Sequence, residues 1–115
     1  MADEKKLLGI VGMCRGAGKA VIGTPMICEY LRKRGEKKSL DASGAPEVIV
    51  IEASDTSENT HKKISDKCAY YKAMHVRITA SCEELGRAVG KSAVAAVAIA
   101  DRSFCRAVLD KLDRE

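Results

Sequence analysis

The chain has 115 residues, 46% of them apolar and 31% charged, with two prolines and a net charge of +4. That length suits one domain over residues 1–115, and the apolar share excludes disordered, collagen-like and low-complexity classes. The longest unbroken apolar run, residues 93–100, is eight residues against the ~20 a membrane span needs; with no secretory signal or lipidation motif visible, a soluble cytoplasmic protein is expected.

The first predicted element is a helix from Asp3 to about Cys14, ending near Gly16, with Leu7, Leu8, Ile10, Val11 and Cys14 at mixed helical spacing. Ala20-Val21-Ile22 reads as a short buried strand stopped by Gly23. Thr24-Pro25 reads as a helix start, because Thr can cap and Pro suits the first helical position. Ile27, Cys28 and Leu31 mark its apolar face, and it runs to about Arg34 before Gly35. Residues 35–46 are loop by composition. Val48-Ile49-Val50-Ile51 is a β-branched run, as expected for a strand covered on both faces.

Asp55-Thr56-Ser57-Glu58 reads as a capping box with Asp55 as the cap. The helix after it runs to about Tyr70 and buries Ile64, Cys68 and a tyrosine. Residues 75–79 alternate like a strand. Ser81-Cys82-Glu83-Glu84 is a second capping box, opening a helix with Leu85, Ala88 and Val89 inward and Gly90 as its stop. Residues 94–100 form another buried strand. A last amphipathic helix runs from Asp101 to about Lys111, with Phe104, Val108 and Leu112 spaced by four. The alternation of helix and strand predicts an α/β fold: a three-layer α/β/α sandwich around a central four-stranded mixed sheet.

The charge is concentrated. Residues 15–38 carry seven basic groups (Arg15, Lys19, Arg32, Lys33, Arg34, Lys37, Lys38) against Glu29 and Glu36, whereas residues 39–115 carry eleven basic and twelve acidic groups. A local basic stretch is the footprint of a polyanion partner, although Lys and Arg also suit a solvated helix C-terminus.

Five cysteines, at 14, 28, 68, 82 and 105, include no Cys-x-x-Cys pair, so they read as reduced core residues rather than a disulfide framework or zinc site. His61 and His75 have no partner at metal-ligand spacing. No nucleophile–base pair or paired carboxylate set stands out, so neither an enzyme, a cofactor nor a metal is expected. Arg15-Gly16-Ala17-Gly18-Lys19-Ala20 looks like a nucleotide loop but fails the pattern. Met13 stands where the first Gly is needed, and Ala20 replaces the hydroxyl residue that holds magnesium.

Four stretches carry a likeness: Leu7-Leu8-Gly9 with Arg15-Gly16-Ala17-Gly18-Lys19; residues 48–68, especially Ala53-Ser54-Asp55-Thr56-Ser57-Glu58-Asn59-Thr60; Glu84-Leu85-Gly86-Arg87-Ala88-Val89-Gly90-Lys91; and Val97-Ala98-Ile99-Ala100-Asp101 with Phe104. In this order they resemble the ribosomal protein L-seven-Ae / L-thirty-e superfamily, and within it the short bacterial YlxQ-like branch. The resemblance implies an α/β/α sandwich that binds RNA, typically kink-turns. It places the binding edge at the start of the helix near Thr24 and the neighbouring loops. The family motif there is Gly, a variable residue, Asn, Glu, two more residues and Lys. Asn and Glu would read sheared G·A pairs, and helix N-terminal amides would approach phosphate.

Gly23 and Thr24 match the start of that motif, but Pro25 stands at the Asn position, Met26 at the Glu position and Glu29 at the Lys position. An insertion also lengthens the loop at residues 39–46. The expected function is a non-catalytic, ribosome- or translation-associated RNA-binding protein with a degenerate reading motif. Its expected partner is structured RNA, ribosomal or otherwise kink-turn-like, with neither DNA nor membrane. Candidate contacts are Gly23 and Thr24 from the motif and Lys19, Arg32, Lys33, Lys37 and Lys38 from charge. The alternative is a protein-interaction module that kept the fold and lost kink-turn recognition, docking a protein partner on Met26.

Overall fold

The structure, a computed structural model, describes residues 4–34 and 48–112. Nine elements follow in alternation: α1 (Glu4–Gly16), β1 (Ala20–Ile22), α2 (Thr24–Arg34), β2 (Ile49–Glu52), α3 (Glu58–Tyr70), β3 (Met74–Arg77), α4 (Cys82–Ala88), β4 (Ala96–Ile99) and α5 (Arg102–Leu112). The strands form one sheet in the order β1-β4-β2-β3. β4 runs antiparallel to both β1 and β2, while β2 and β3 are parallel and joined through α3. This is the expected mixed sheet of an α/β/α sandwich.

Side-chain alternation along the strands builds the two faces. Ile49 and Ile51 of β2, with Val97 and Ile99 of β4, pack against Leu7, Val11 and Cys14 of α1, Leu85 of α4, and Cys105 and Val108 of α5. Val48 and Val50, with Ala96 and Ala98, face the other way onto Ile27 and Leu31 of α2 and Ile64 and Cys68 of α3. Both central strands are buried throughout, so each carries a continuous apolar run instead of a polar alternation. Each fully buried Ile, Leu or Val contributes roughly 1.5–3 kcal/mol through transfer from water.

Glu52 breaks the run. It is the next residue after Val50 to face the α2/α3 layer, and its side chain is fully buried (0% exposed).

Several boundaries differ from expectation. α3 starts at Glu58 with Ser57 as its cap, the Ser57 hydroxyl accepting from Thr60 N–H at 3.2 Å. Asp55 is not the cap, because its carboxylate accepts from Cys82 N–H at 2.8 Å and ties the β2–α3 loop to the start of α4. Gly23, not Thr24, caps α2: its carbonyl accepts the first helical bond, from Ile27 at 3.0 Å, and its φ of +91° suits glycine alone. β3 ends at Arg77, two residues early. β4 begins only at Ala96, because Val94 N–H bonds Cys82 O at the mouth of α4. β1 is half-buried, as an edge strand must be.

The Ser81–Glu84 capping box forms as expected. Of the tyrosine pair that ends α3, Tyr71 is half-buried and Tyr70 exposed. The loop expected at 35–46, with its insertion, lies outside the described residues.

Candidate nucleic-acid interface

The chain order brings one set of connections to one end of the sheet. β1 ends at Gly23, whose N–H donates to Ala96 O at the start of β4. β2 also ends there, since Glu52 is in register with Ala96, and β3 ends beside it with Arg77 opposite Glu52. α2 and α3 therefore both start at this end and pack side by side. Between their first turns lies a cavity of about 370 Å³ lined by Thr24, Pro25, Cys28, Asn59, Thr60 and Lys63. It continues into a larger one of about 710 Å³ along the outer side of α3, where Lys62, Lys63 and Lys67 meet Asp66, Tyr70 and Tyr71. The first turn of α2 contains no acidic side chain, so nothing there competes for an anion at its N-terminus.

The candidates nominated from sequence divide. Gly23 and Thr24 are at this edge. Lys19 is exposed at the opposite end of β1, where its carbonyl accepts from Ala100 N–H; four residues of strand put it about 13 Å from Gly23. Arg32 and Lys33 lie two turns along α2, about 12 Å from Thr24. Both are exposed and both face Glu29, at 3.3 and 3.6 Å. Lys37 and Lys38 lie outside the described residues. Residues 15–19 connect a helix to a strand, the reverse of a phosphate loop.

Lys63 was missed because it falls outside the basic run. The available signal was its helical spacing: Asn59 and Lys63 are one turn apart and share a face. Pro25 and Met26 lie exposed at the α2 start, Met26 at 60%. The groups that would read a G·A pair are thus replaced on the surface itself.

Behind this edge, three polar side chains from three elements converge. His61 Nδ1 lies 2.9 Å from both Glu52 carboxylate oxygens, and His75 Nε2 lies 2.7 Å from Oε1. The Thr56 hydroxyl donates to Oε2, and Arg77 Nε stands 3.7 Å from the same oxygen. Burial pushes hardest against ionising Glu52, but hydrogen bonds from Thr56, His61 and His75 together outweigh it and hold the carboxyl below its usual value. The three donor atoms lie within 4.8 Å of one another, so among the described residues this group can hold a metal ion. The histidines therefore do have a partner, which the chain separations of 9 and 23 residues concealed.

No family model matches the chain. The RNA-binding protein YlxQ of Bacillus subtilis (strain 168) is 32% identical over 104 residues, covering 90% of this chain and 92% of the relative. The YlxQ protein of Enterococcus faecium is 32% identical over 69 residues, 60% of this chain and 56% of that one. Two solved structures share the fold. A protein of unknown function from Bacillus halodurans C superposes with a TM-score of 0.76 at 24% identity, covering 95% of this chain and 98% of that one. A Giardia lamblia 15.5kD RNA binding protein superposes with a TM-score of 0.65 at 18% identity, covering 96% and 87%. With fold and full-length similarity in agreement, the chain belongs to the YlxQ-like branch of the ribosomal protein L-seven-Ae / L-thirty-e superfamily.

Proposed function

We propose that this protein is a non-catalytic RNA-binding protein that grips structured RNA at the end of the sheet where α2 and α3 start. The observation that carries this reading is the groove between Thr24 and Lys63, placed at the helix start where the superfamily's motif falls. Its chemistry suits a phosphate backbone: helix-start amides, the Thr24, Asn59 and Thr60 side chains, and the Lys63 ammonium, with Lys62 and Lys67 continuing the positive strip. Exposed Tyr70 offers a ring on which an unpaired base can stack. Pro25 and Met26 supply no hydrogen bonds to base edges, so affinity comes from phosphate and shape more than from reading G·A pairs. The superfamily's ribosomal members favour a setting on the ribosome or in translation, testable by co-sedimentation with ribosomal particles.

The test is binding of a structured RNA by Lys63→Glu and Arg32→Glu variants. Lys63→Glu weakens binding strongly and Arg32→Glu weakly. Equal effects would place the RNA elsewhere. A second reading, a protein docked on Pro25 and Met26, is favoured by the exposure of Met26. A partner that stays bound after nuclease treatment and is released by Met26→Lys would support it.

A further inference from the structure

The RNA reading does not use the most unusual feature of the α2/α3 layer, a fully buried carboxylate met by two imidazoles. A buried carboxylate without partners is strongly disfavoured, so its surroundings must supply hydrogen bonds or positive charge. Strand alternation explains the convergence. Glu52 follows Val50 on the α3 face, and His75, in register with Val50, shares that face, as does Arg77 opposite Glu52. His61 precedes Ile64 by three and Cys68 by seven, which puts it on the inward stripe of α3.

We propose that Glu52, His61 and His75 bind one divalent transition-metal ion of the zinc class. The donor set is two imidazoles and one carboxylate, the composition of an open three-ligand zinc site. Oε1 faces His75, both oxygens lie 2.9 Å from His61 Nδ1, and Oε2 also takes the Thr56 hydroxyl and faces Arg77.

Arg77 is tied elsewhere as well, its Nη2 donating to Ser54 O at 2.9 Å and its Nε to Ala53 O at 3.5 Å. The guanidinium and the Thr56 hydroxyl thus both hold Oε2, as outer partners of the kind a ligating carboxylate needs. Metal bonds of ~2.1 Å set tetrahedral ligand atoms about 3.4 Å apart. To reach that, the 2.7 and 2.9 Å imidazole–carboxylate separations open and the spread of up to 4.8 Å across the three donor atoms closes, through rotation of the two rings. Each neutral imidazole then carries its proton on its outer nitrogen and gives the inner lone pair to the ion. The side chains of His61 (40% exposed) and His75 (18% exposed) reach solvent, which gives an ion a path to the carboxylate.

The test is titration of metal-free, reduced full-length protein with Zn²⁺ against a chromophoric chelator, with Co²⁺ absorption as a second probe. Wild type binds one equivalent, and its thermal midpoint rises with zinc. His61→Ala, at a half-exposed site that tolerates truncation, loses that equivalent and the thermal shift while melting cooperatively. Thr56→Val, which removes only the outer hydrogen bond, weakens zinc binding roughly tenfold. The Co²⁺ complex shows the intense visible bands of a four-coordinate N/O site without a thiolate charge-transfer band. Absence of a zinc equivalent in wild type would overturn the proposal. So would undiminished binding by His61→Ala, or loss of binding in Cys28→Ser, which would assign the ion to thiols.

Discussion

The Glu29 carboxylate lies 3.3 Å from the Arg32 guanidinium, one turn apart on the exposed side of α2. Lys33 reaches the same carboxylate at 3.6 Å. The acidic residue standing at the family's lysine position therefore also engages the two cations that follow it. Two cations of the basic run thus share one carboxylate, which offsets half of their charge.

Glu29→Lys should strengthen RNA binding. It removes one negative charge, adds a positive one and releases Arg32 and Lys33. Each further phosphate that these cations neutralise steepens the plot of log affinity against log salt by about 0.7–0.9. Exposed pairs of this kind contribute only about 0–1 kcal/mol, so the melting temperature should barely move. Affinity measured across a salt series, beside a thermal melt, checks both. Unchanged affinity would mean that RNA does not approach α2.

Two glycines should respond oppositely to alanine. A Cβ at Gly86 would lie 2.6 Å from Ala93 Cα, a backbone atom that cannot swing away. Gly86→Ala should cost about 1–3 kcal/mol through forced displacement of the segment leading into β4. Gly9 is exposed inside α1 with no atom within 4 Å of such a Cβ. Gly9→Ala should stabilise by about 0.5–1 kcal/mol through helix propensity. Urea unfolding midpoints at equal m-values decide the matter.

Much of this architecture is legible in the residues. The β-branched run before Glu52 and the Ser81–Glu84 box each have one physical solution, and both elements form where expected. Asp55-Thr56-Ser57-Glu58 has two solutions, because Asp and Ser are both good caps. A distant N–H, that of Cys82, recruits Asp55 and leaves Ser57 to cap α3. The site is less legible. Arg32 and Lys33 look like contacts in a linear charge count, yet the helix carries them two turns from the edge. Lys63 joins the edge only through the packing of α3 beside α2, and the Glu52–His61–His75 cluster forms only through the packing of α3 on β2 and β3. That packing depends on strand register, which no local window contains.

The buried thiols should shape the alkaline limit. Cys14 and Cys105 are fully buried, and burial is the main cause that pushes their thiols from an ordinary 9.0 up to about 11 and about 12. Below pH 9 both are neutral, folded or unfolded, and their contribution to stability is intact. Above it the unfolded thiols ionise first, so stability falls as pH rises from 9 to about 12. Cys105→Ala should flatten that fall. Unfolding midpoints from pH 8 upward test this. Native-state alkylation at neutral pH should leave Cys14, Cys68 and Cys105 unmodified, because all three are buried.

The central claim is that RNA is held at the start of α2 and α3 by its backbone. The most direct measurement is affinity for a kink-turn RNA and for the same RNA with its G·A pairs changed, each across a salt series. Backbone binding gives similar affinity for both RNAs and steep weakening with salt. Binding that is lost with the G·A pairs, binding indifferent to salt, or no binding to either RNA would contradict it.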